Sequence, residues 1–204
     1  MTYTDIPGWF DFQELYNEAA EKATNASVLV EVGCWRGRSL AFLAQRLKAL
    51  GKHPRLFAVD TWAGSPGEDL MAAEVAELGG PQGLWLEFND NMIGCGIRSM
   101  IIPMRMESAQ AARFFAPDGT GPLPAHGEIE FCFIDAGHDL QSMRTDLAAW
   151  VPKMKPGGLI AGHDLYLQTV RQAVEEAFGT SWETRGSCWA KRIPEGTEAL
   201  CIPA

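Results

Sequence analysis

The sequence lacks the patterns that mark several common classes of protein. No apolar run reaches the roughly 20 residues that span a bilayer, and no basic start followed by an apolar stretch suggests a signal peptide. No pair of cysteines is spaced as CxxC, and the odd number of five argues against a disulfide framework or a thiolate zinc site. These absences predict a protein of the reducing cytoplasm that has no membrane partner.

The chain also lacks a basic patch. Its formal net charge is −9, and Lys and Arg are scattered, which argues against nucleic acid as a partner. A length of 204 residues with 47% hydrophobic residues suits a single domain over 1–204. The acidity suits a neutral or cationic small-molecule substrate, and the sequence is compatible with a homo-oligomer.

Hydrophobic patterning predicts alternating strands and helices. This alternation indicates an α/β, Rossmann-like fold: a mostly parallel seven-stranded sheet with helices on both faces and a terminal antiparallel hairpin. A Gly-, Pro- and acid-rich segment at 63–83, with a weak helix over 70–78, is predicted as a lid, and 116–127 as a surface loop. The predicted strands are 27–32, 56–60, 100–104, 129–134, 159–161 and two around 182 and 189; the predicted helices are 8–24, 40–50, 85–93, 108–115, 140–151 and 170–178.

Polar residues follow the predicted strands, where ligands bind on open α/β sheets. The first turn reads EVGCWRG, with the spacing GxxxG rather than the GxGxxG of dinucleotide sites. An acid before the first glycine suits a ligand with an ammonium group and a sulfonium. Asp60 ends the second strand, at the distance from the first turn where an acid accepts hydrogen bonds from ribose hydroxyls. Alternatively, it caps a helix or turn, which is common for Asp. Trp62 either stacks on an adenine or covers the core.

The segments VLVEVGCWRGRSL, FAVDTW and EFCFIDAGHDLQSMRTDLAAWVPKMKPGGLIAGHD resemble class I methyltransferases that depend on S-adenosylmethionine (SAM). The similarity covers roughly 27–178 and is strongest to a small bacterial branch with macrolide-sugar and cephalosporin-pathway members. It implies that the methionine end of SAM lies along the first turn, the ribose at Asp60 and the adenine after strand three. The implied cofactor-binding residues are Glu31, Gly33, Trp35, Gly37, Ser39, Asp60, Thr61, Trp62, Glu107, Ser108 and Asp135.

The resemblance also assigns chemistry to IDAGH after strand four and HD after strand five. In sugar-methylating relatives the first acid binds a divalent metal, which implies metal ligation by Asp135, His163 and Asp164, and catalysis by Asp135 and His138, with His138 as base. His163 stands where an acid is expected, so a mixed N/O site suits Mn²⁺ or another transition ion better than Mg²⁺. Alternatively, both histidines are polar residues hydrogen-bonded to neighbouring carboxylates. The convergence of four ligands favours the metal site.

The function implied is SAM-dependent methyl transfer, to a hydroxyl of a sugar or another natural product, with a divalent metal assisting. Three alternatives stay open. The absence of GxGxxG argues against an NAD-type oxidoreductase. A SAM-fold binding protein without catalysis and a metal-dependent hydroxylase of the cephalosporin-pathway type both fit the same residues.

Overall fold

A computed structural model describes residues 1–65, 69–115 and 129–195. Within these ranges, one sheet of seven strands runs through the protein. The strands are β1 (Val28–Val32), β2 (Arg55–Asp60), β3 (Ile101–Arg105), β4 (Ile129–Ile134), β5 (Met154–Gly162), β6 (Glu183–Arg185) and β7 (Cys188–Arg192). Their order in the sheet is β3-β2-β1-β4-β5-β7-β6.

The first five strands pair in parallel, and β7 pairs antiparallel with both β5 and β6. The predicted fold class, with its terminal antiparallel hairpin, is therefore confirmed. The strand order reverses between β1 and β4, which lie side by side with Val32 opposite Ile134. This switch point is where open α/β sheets bind ligands, so the turns after β1 and β4 are positioned for a site.

Helices cover both faces of the sheet and enclose two hydrophobic cores. The helices are α1 (Gln13–Lys22), α2 (Arg38–Ala49), α3 (Asp69–Glu77), α4 (Pro81–Gly94), α5 (Ser108–Ala112), α6 (Leu140–Trp150) and α7 (Gln168–Phe178), with short 3-10 turns at Tyr3–Asp5, Arg98–Met100 and Val151–Lys153. One core includes residues of α1, α2 and α4, with Tyr16, Leu43 and Phe88 fully buried, and the other includes residues of α5, α6 and α7, around Trp150.

The N-terminal helix was predicted over 8–24, but α1 begins only at Gln13. Gly8 has a φ of 135°, which is incompatible with a helix. Asp11 lies beside the turn between β6 and β7, where its carboxylate accepts a hydrogen bond from Ser187 Oγ at 2.8 Å. Tertiary contacts therefore hold residues 7–12 in a non-helical conformation that reaches across the edge of the sheet.

Two other boundaries differ from the prediction. β5 begins at Met154, whereas the sequence predicted a start at Leu159. The KPGG segment lies within the strand as an irregularity, because Gly157 adopts a φ of 75° and the register against β4 shifts between Ile129 and Phe131. The segment 63–83, predicted as a lid, contains α3, which corresponds to the weak helix predicted over 70–78. It also contains the first residues of α4, which begins with Pro81. Residues 66–68 of the lid and the predicted loop at 116–127 lie outside the described residues.

Two sequence-based expectations concern what the fold lacks. The four described cysteines, Cys34, Cys95, Cys132 and Cys188, are all buried free thiols. Among the described residues, no helix combines the length and apolar character needed to cross a bilayer.

Candidate functional site

The turn after β1 approaches its neighbours too closely for side chains at its two glycines. Gly33 has a φ of 84°, and a Cβ there would lie 2.1 Å from the carbonyl oxygen of Asp135. Gly37 has a φ of 85° and precedes α2, and a Cβ there would lie 2.5 Å from Met92 Cε. Glycine is thus required at both positions of the predicted GxxxG motif, for the backbone conformation and for the packing against β4 and α4.

Asp60 holds this turn in place from the end of β2. Its Oδ2 accepts hydrogen bonds from the backbone N–H groups of Cys34 at 2.7 Å and Trp35 at 2.9 Å, and its Oδ1 accepts one from Trp62 at 2.7 Å. The turn-capping alternative is therefore present in the structure. The carboxylate also lines a cavity, together with Thr61, whose hydroxyl accepts a hydrogen bond from the N–H of Ala63 at 3.1 Å.

In the part of the chain that the structure describes, backbone strain is concentrated just beyond the carboxyl ends of three parallel strands. Among the described residues, the non-glycine residues with positive φ are Trp35 (48°), Trp62 (54°) and Asp164 (56°). Each lies two or three positions beyond the end of β1, β2 or β5. Left-handed conformations are costly for such residues and persist where the surrounding structure enforces them, often at functional sites.

Glu31 was expected to line the methionine end of the ligand, but its side chain is buried beneath the turn. Its Oε2 accepts a hydrogen bond from Tyr16 Oη at 2.8 Å and its Oε1 accepts one from Ser39 Oγ at 2.7 Å. Burial raises the pKa of Glu31 to about 8, against the lowering effect of these two bonds. Glu31 contacts neither of the cavities described below, whereas Ser39 lines the larger one. The direct role expected for Glu31 is therefore corrected to support of Ser39.

Trp62 belongs to the core, the second of the two alternatives that the sequence left open. Its side chain is fully buried, with ring centroids 4.5 Å from Trp85 and 4.7 Å from Phe88. Its Nε1 donates to the carbonyl oxygen of Trp35 at 2.9 Å. The indole thus supports the first turn from below, and the expectation that it stacks on an adenine is wrong for this structure.

Glu107, the N-cap of α5, and Ser108, its first residue, line the smaller cavity; the sequence assigns both to the adenine. The hydroxyl of Ser108 accepts a hydrogen bond from Trp150 Nε1 at 2.8 Å and in turn binds Asp146. Burial raises the pKa of Asp146 to about 6, although the bond to Ser108 lowers it. Asp146 was not predicted, because its position in the middle of an amphipathic helix resembles a solvent-exposed one.

Three side chains converge where β4 and β5 end. Asp135, His138 and Asp164 each offer a ligand atom, and these atoms lie within 4.8 Å of one another. His138 Nε2 lies 2.7 Å from Asp164 Oδ2 and 3.8 Å from Asp135 Oδ1. Partial burial opposes ionisation of Asp164, but hydrogen bonds from His138 and His163 hold its pKa well below the usual range.

His163 lies at the edge of this cluster. Its Nδ1 is 3.3 Å from Asp164 Oδ1 and 3.6 Å from Asp135 Oδ1, and its Nε2 faces Asp11 Oδ1 at 3.1 Å. Burial lowers the pKa of His163, but the three carboxylates outweigh that effect and raise it to about 8. The predicted metal set of Asp135, His163 and Asp164 therefore differs in one member from the set that the structure assembles, since His138 replaces His163.

The donor set suits a divalent cation chemically. Two carboxylates and one imidazole make a mixed O/N set of the kind that transition ions accept and that Mg²⁺ accepts less readily. If His138 serves as a ligand through Nε2, it is not at the same time a free base. The predicted roles of ligand and base are thus in competition for this one imidazole.

Two cavities share Asp135 of this cluster. The larger, of about 710 Å³, extends from the first turn to Asp135, His138 and Asp164. The smaller, of about 290 Å³, extends from Asp60 to Ser108. Four residues, from the first turn, α3 and the position after β4, line both cavities: Gly33, Trp35, Met71 and Asp135.

Sequence reasoning missed several residues of the larger cavity. Arg38 lines it and donates a hydrogen bond from Nη1 to the carbonyl oxygen of Gly8 at 2.6 Å. This bond joins the N-terminal segment to the start of α2. Trp9 and Tyr166 line it too. No strand or motif precedes Trp9, so no sequence signal marked it, whereas Tyr166 directly follows the HDL segment after β5 and could have been suspected from that position.

Comparisons with known proteins support the fold. Among solved structures, the chain is similar to the O-methyltransferase NovP (TM-score 0.66, 17% identity, 89% of this chain and 78% of that one). It is also similar to a calicheamicin methyltransferase (0.62, 16%, 89% and 76%) and to the O-methyltransferase TomG of Streptomyces achromogenes, solved in complex with SAM (0.58, 14%, 89% and 78%). No curated protein sequence matches significantly.

A family model described as a methyltransferase domain matches residues 30–165, well over half of the chain. The match begins within β1 and ends just beyond β5, so it includes the turn after β1, Asp60 and the cluster after β4 and β5. The predicted resemblance to class I SAM-dependent methyltransferases is confirmed, and the chain belongs to the methyltransferase domain family.

Proposed function

We propose that this protein transfers the methyl group of SAM to a hydroxyl oxygen of a small molecule, such as a sugar or another natural product. The observation that carries the proposal is the position of Asp135. It forms part of the wall shared by the two cavities and belongs to the cluster with His138 and Asp164. A cofactor in one cavity and an acceptor in the other would meet at this residue.

The cofactor half of the proposal uses the turn after β1 and the smaller cavity. The ribose hydroxyls would lie at Asp60, and the adenine near Glu107 and Ser108. The methionine end would lie along the glycine turn near Ser39. A volume of about 290 Å³ for the smaller cavity suits part of the cofactor, and the methionyl part would then extend into the larger cavity.

The acceptor half uses the cluster. Methyl transfer is an in-line displacement at a sulfonium, so the residues mainly have to align donor and acceptor and remove the hydroxyl proton. His138 or a carboxylate of the cluster would hold that proton. A divalent cation bound by Asp135, His138 and Asp164 would supply Lewis acidity toward the acceptor oxygen. The carboxylates of Asp135, Asp139 and Asp164 and the guanidinium groups of Arg36 and Arg38 all line this cavity, so its lining is of mixed charge.

The direct test is a methyl-transfer assay with SAM and a panel of sugars, catechols and polyols, with and without added Mn²⁺ or Mg²⁺. We expect a product heavier by one CH₂ group, and less of it after chelation of metal. A product heavier by one oxygen atom would indicate the hydroxylase alternative. Binding of SAM without any product across the panel would indicate a binding protein.

Replacement of Asp60 tests the cofactor half. We expect Asp60→Ala to weaken SAM binding on the order of 10- to 100-fold in calorimetry, since it removes the ribose acceptor and frees the N–H groups of Cys34 and Trp35. Asp5→Ala is a matched control, because Asp5 also accepts a backbone N–H, from Thr2, but lies in the N-terminal turn, outside both cavities. Equal SAM affinity for the folded Asp60→Ala variant and the wild type would remove Asp60 from the cofactor site.

A further inference from the structure

Two aromatic side chains stand exposed at one cavity. Trp9 is 71% exposed and Tyr166 is 74% exposed, which makes them the most exposed large hydrophobic side chains among the described residues. Trp9 precedes α1, and Tyr166 lies between β5 and α7, so 157 positions of sequence separate them. Both nevertheless line the larger cavity, and neither lines the smaller one.

The backbones that carry these rings are held on both sides. The carbonyl oxygen of Gly8 accepts the Arg38 hydrogen bond, and Asp11 accepts one from Ser187. On the other side, the N–H of Leu165 donates to the carbonyl oxygen of Ser187 at 2.9 Å, and the N–H of Leu167 donates to that of Asp164 at 2.9 Å. The exposed rings are therefore presented from fixed segments rather than from free ends.

The lining of the cavity includes both the polar cluster and these rings. Asp135, His138 and Asp164 offer groups that bind hydroxyls or a cation. Trp9 and Tyr166 offer flat apolar faces, which stack on other rings or on the CH face of a saturated ring. A ligand that satisfies both parts has a ring with one apolar face and adjacent hydroxyls on its edge. The smaller cavity, to which the adenine is assigned, receives neither aromatic side chain.

We propose that Trp9 and Tyr166 bind the ring of the methyl acceptor, so that together with the polar cluster they favour acceptors with adjacent hydroxyls on a six-membered ring. This inference rests on the proposed function, since it assigns the larger cavity to the acceptor. The shared chemistry covers aromatic diols and sugar rings. An open-chain diol, which offers the same two hydroxyls without a ring, gains nothing from the aromatic pair.

The test is ligand-observed saturation-transfer NMR on the full chain loaded with S-adenosylhomocysteine. The probes are catechol, methyl α-rhamnoside and the open-chain diol ethylene glycol. We expect the wild type to bind at least one ring probe more tightly than ethylene glycol. Trp9→Ala and Tyr166→Ala should each weaken ring binding about two- to tenfold, the effect of an aromatic contact. Trp9→Phe and Tyr166→Phe keep a ring and should lose less.

Ile93→Ala is the matched control, since Ile93 is 63% exposed on α4 and lines neither cavity. Whichever of the two ring probes binds identifies the source of the acceptor ring. Unchanged ring affinity in both alanine variants would overturn the proposal, as would equal wild-type affinity for ring and open-chain probes. A matching loss of affinity for S-adenosylhomocysteine would also overturn it, because the pair would then serve the cofactor. If only the proposed function is wrong, methyl transfer will be absent, but the ring probes will still bind and the alanine variants will still weaken that binding. The two failures are therefore distinguishable.

Discussion

Asp135→Asn is expected to lower methyl transfer by a factor on the order of 100 or more while SAM binding is retained. The substitution keeps the shape of the side chain but removes the negative charge at the wall shared by the two cavities. Loss of a cation or of acceptor alignment at the reacting atoms typically costs several kcal/mol of transition-state stabilisation. Initial rates at saturating SAM, together with calorimetry for SAM, measure the two effects separately.

Asp90→Asn makes the same change of charge on the exposed surface of α4 and should leave turnover unchanged. Replacement of the histidines then resolves their competing roles. His138→Ala should cost more turnover than His163→Ala, because His138 completes the cluster and His163 faces Asp11. The opposite order would restore His163 as the ligand. Full activity of Asp135→Asn would remove the cluster from the reaction.

Trp150→Ala is expected to cost about 3–5 kcal/mol of the free energy of unfolding, which is typical for truncation of a buried aromatic residue. The indole is fully buried, packs with its centroid 5.3 Å from that of Phe115 and donates to Ser108 Oγ. For a chain of this size, the loss corresponds to a melting temperature lower by roughly 6–20 °C. Urea unfolding followed by far-UV circular dichroism measures the change.

Trp182→Ala provides the comparison for Trp150. Its indole also donates one hydrogen bond, to the carbonyl oxygen of Gly179 at 3.0 Å, but the side chain is only partly buried. It should therefore cost much less than Trp150→Ala. A similar cost for both variants would mean that the hydrogen bond, rather than the packed volume, accounts for the stability.

The sheet could be predicted from the sequence because each strand is marked by the residues of its own short segment. β1 and β4 are short apolar runs that end at glycine- or acid-containing turns, and such runs identify buried parallel strands without knowledge of their neighbours. α6 and α7 show amphipathic spacing over a full 11 residues each. β5 was predicted too short because a Pro-Gly-Gly segment normally ends a strand, and here it forms an irregularity within one.

The site was predictable in position but not in detail. The residue types after each strand indicated the edge of the sheet at which the candidate site lies, because the topology fixes where strand ends meet. The direction of a side chain depends on partners far away in sequence. Glu31 is turned inward by Tyr16 of α1, and Trp62 by the carbonyl oxygen of Trp35. The exchange between His163 and His138 likewise depends on Asp11, which no motif marked.

The hydrogen bond between Asp11 and Ser187 joins residues that are 176 positions apart. Bringing such distant points together costs chain entropy, which is recovered only after other contacts have shortened the path between them. The parallel strands and their crossover helices provide those contacts, so we expect this bridge to form after the sheet. The cavity that carries Trp9 and Tyr166 would then be completed late, and a chain caught before that step would possess the cavity that we assign to the cofactor's ribose and adenine without the cavity that we assign to the acceptor.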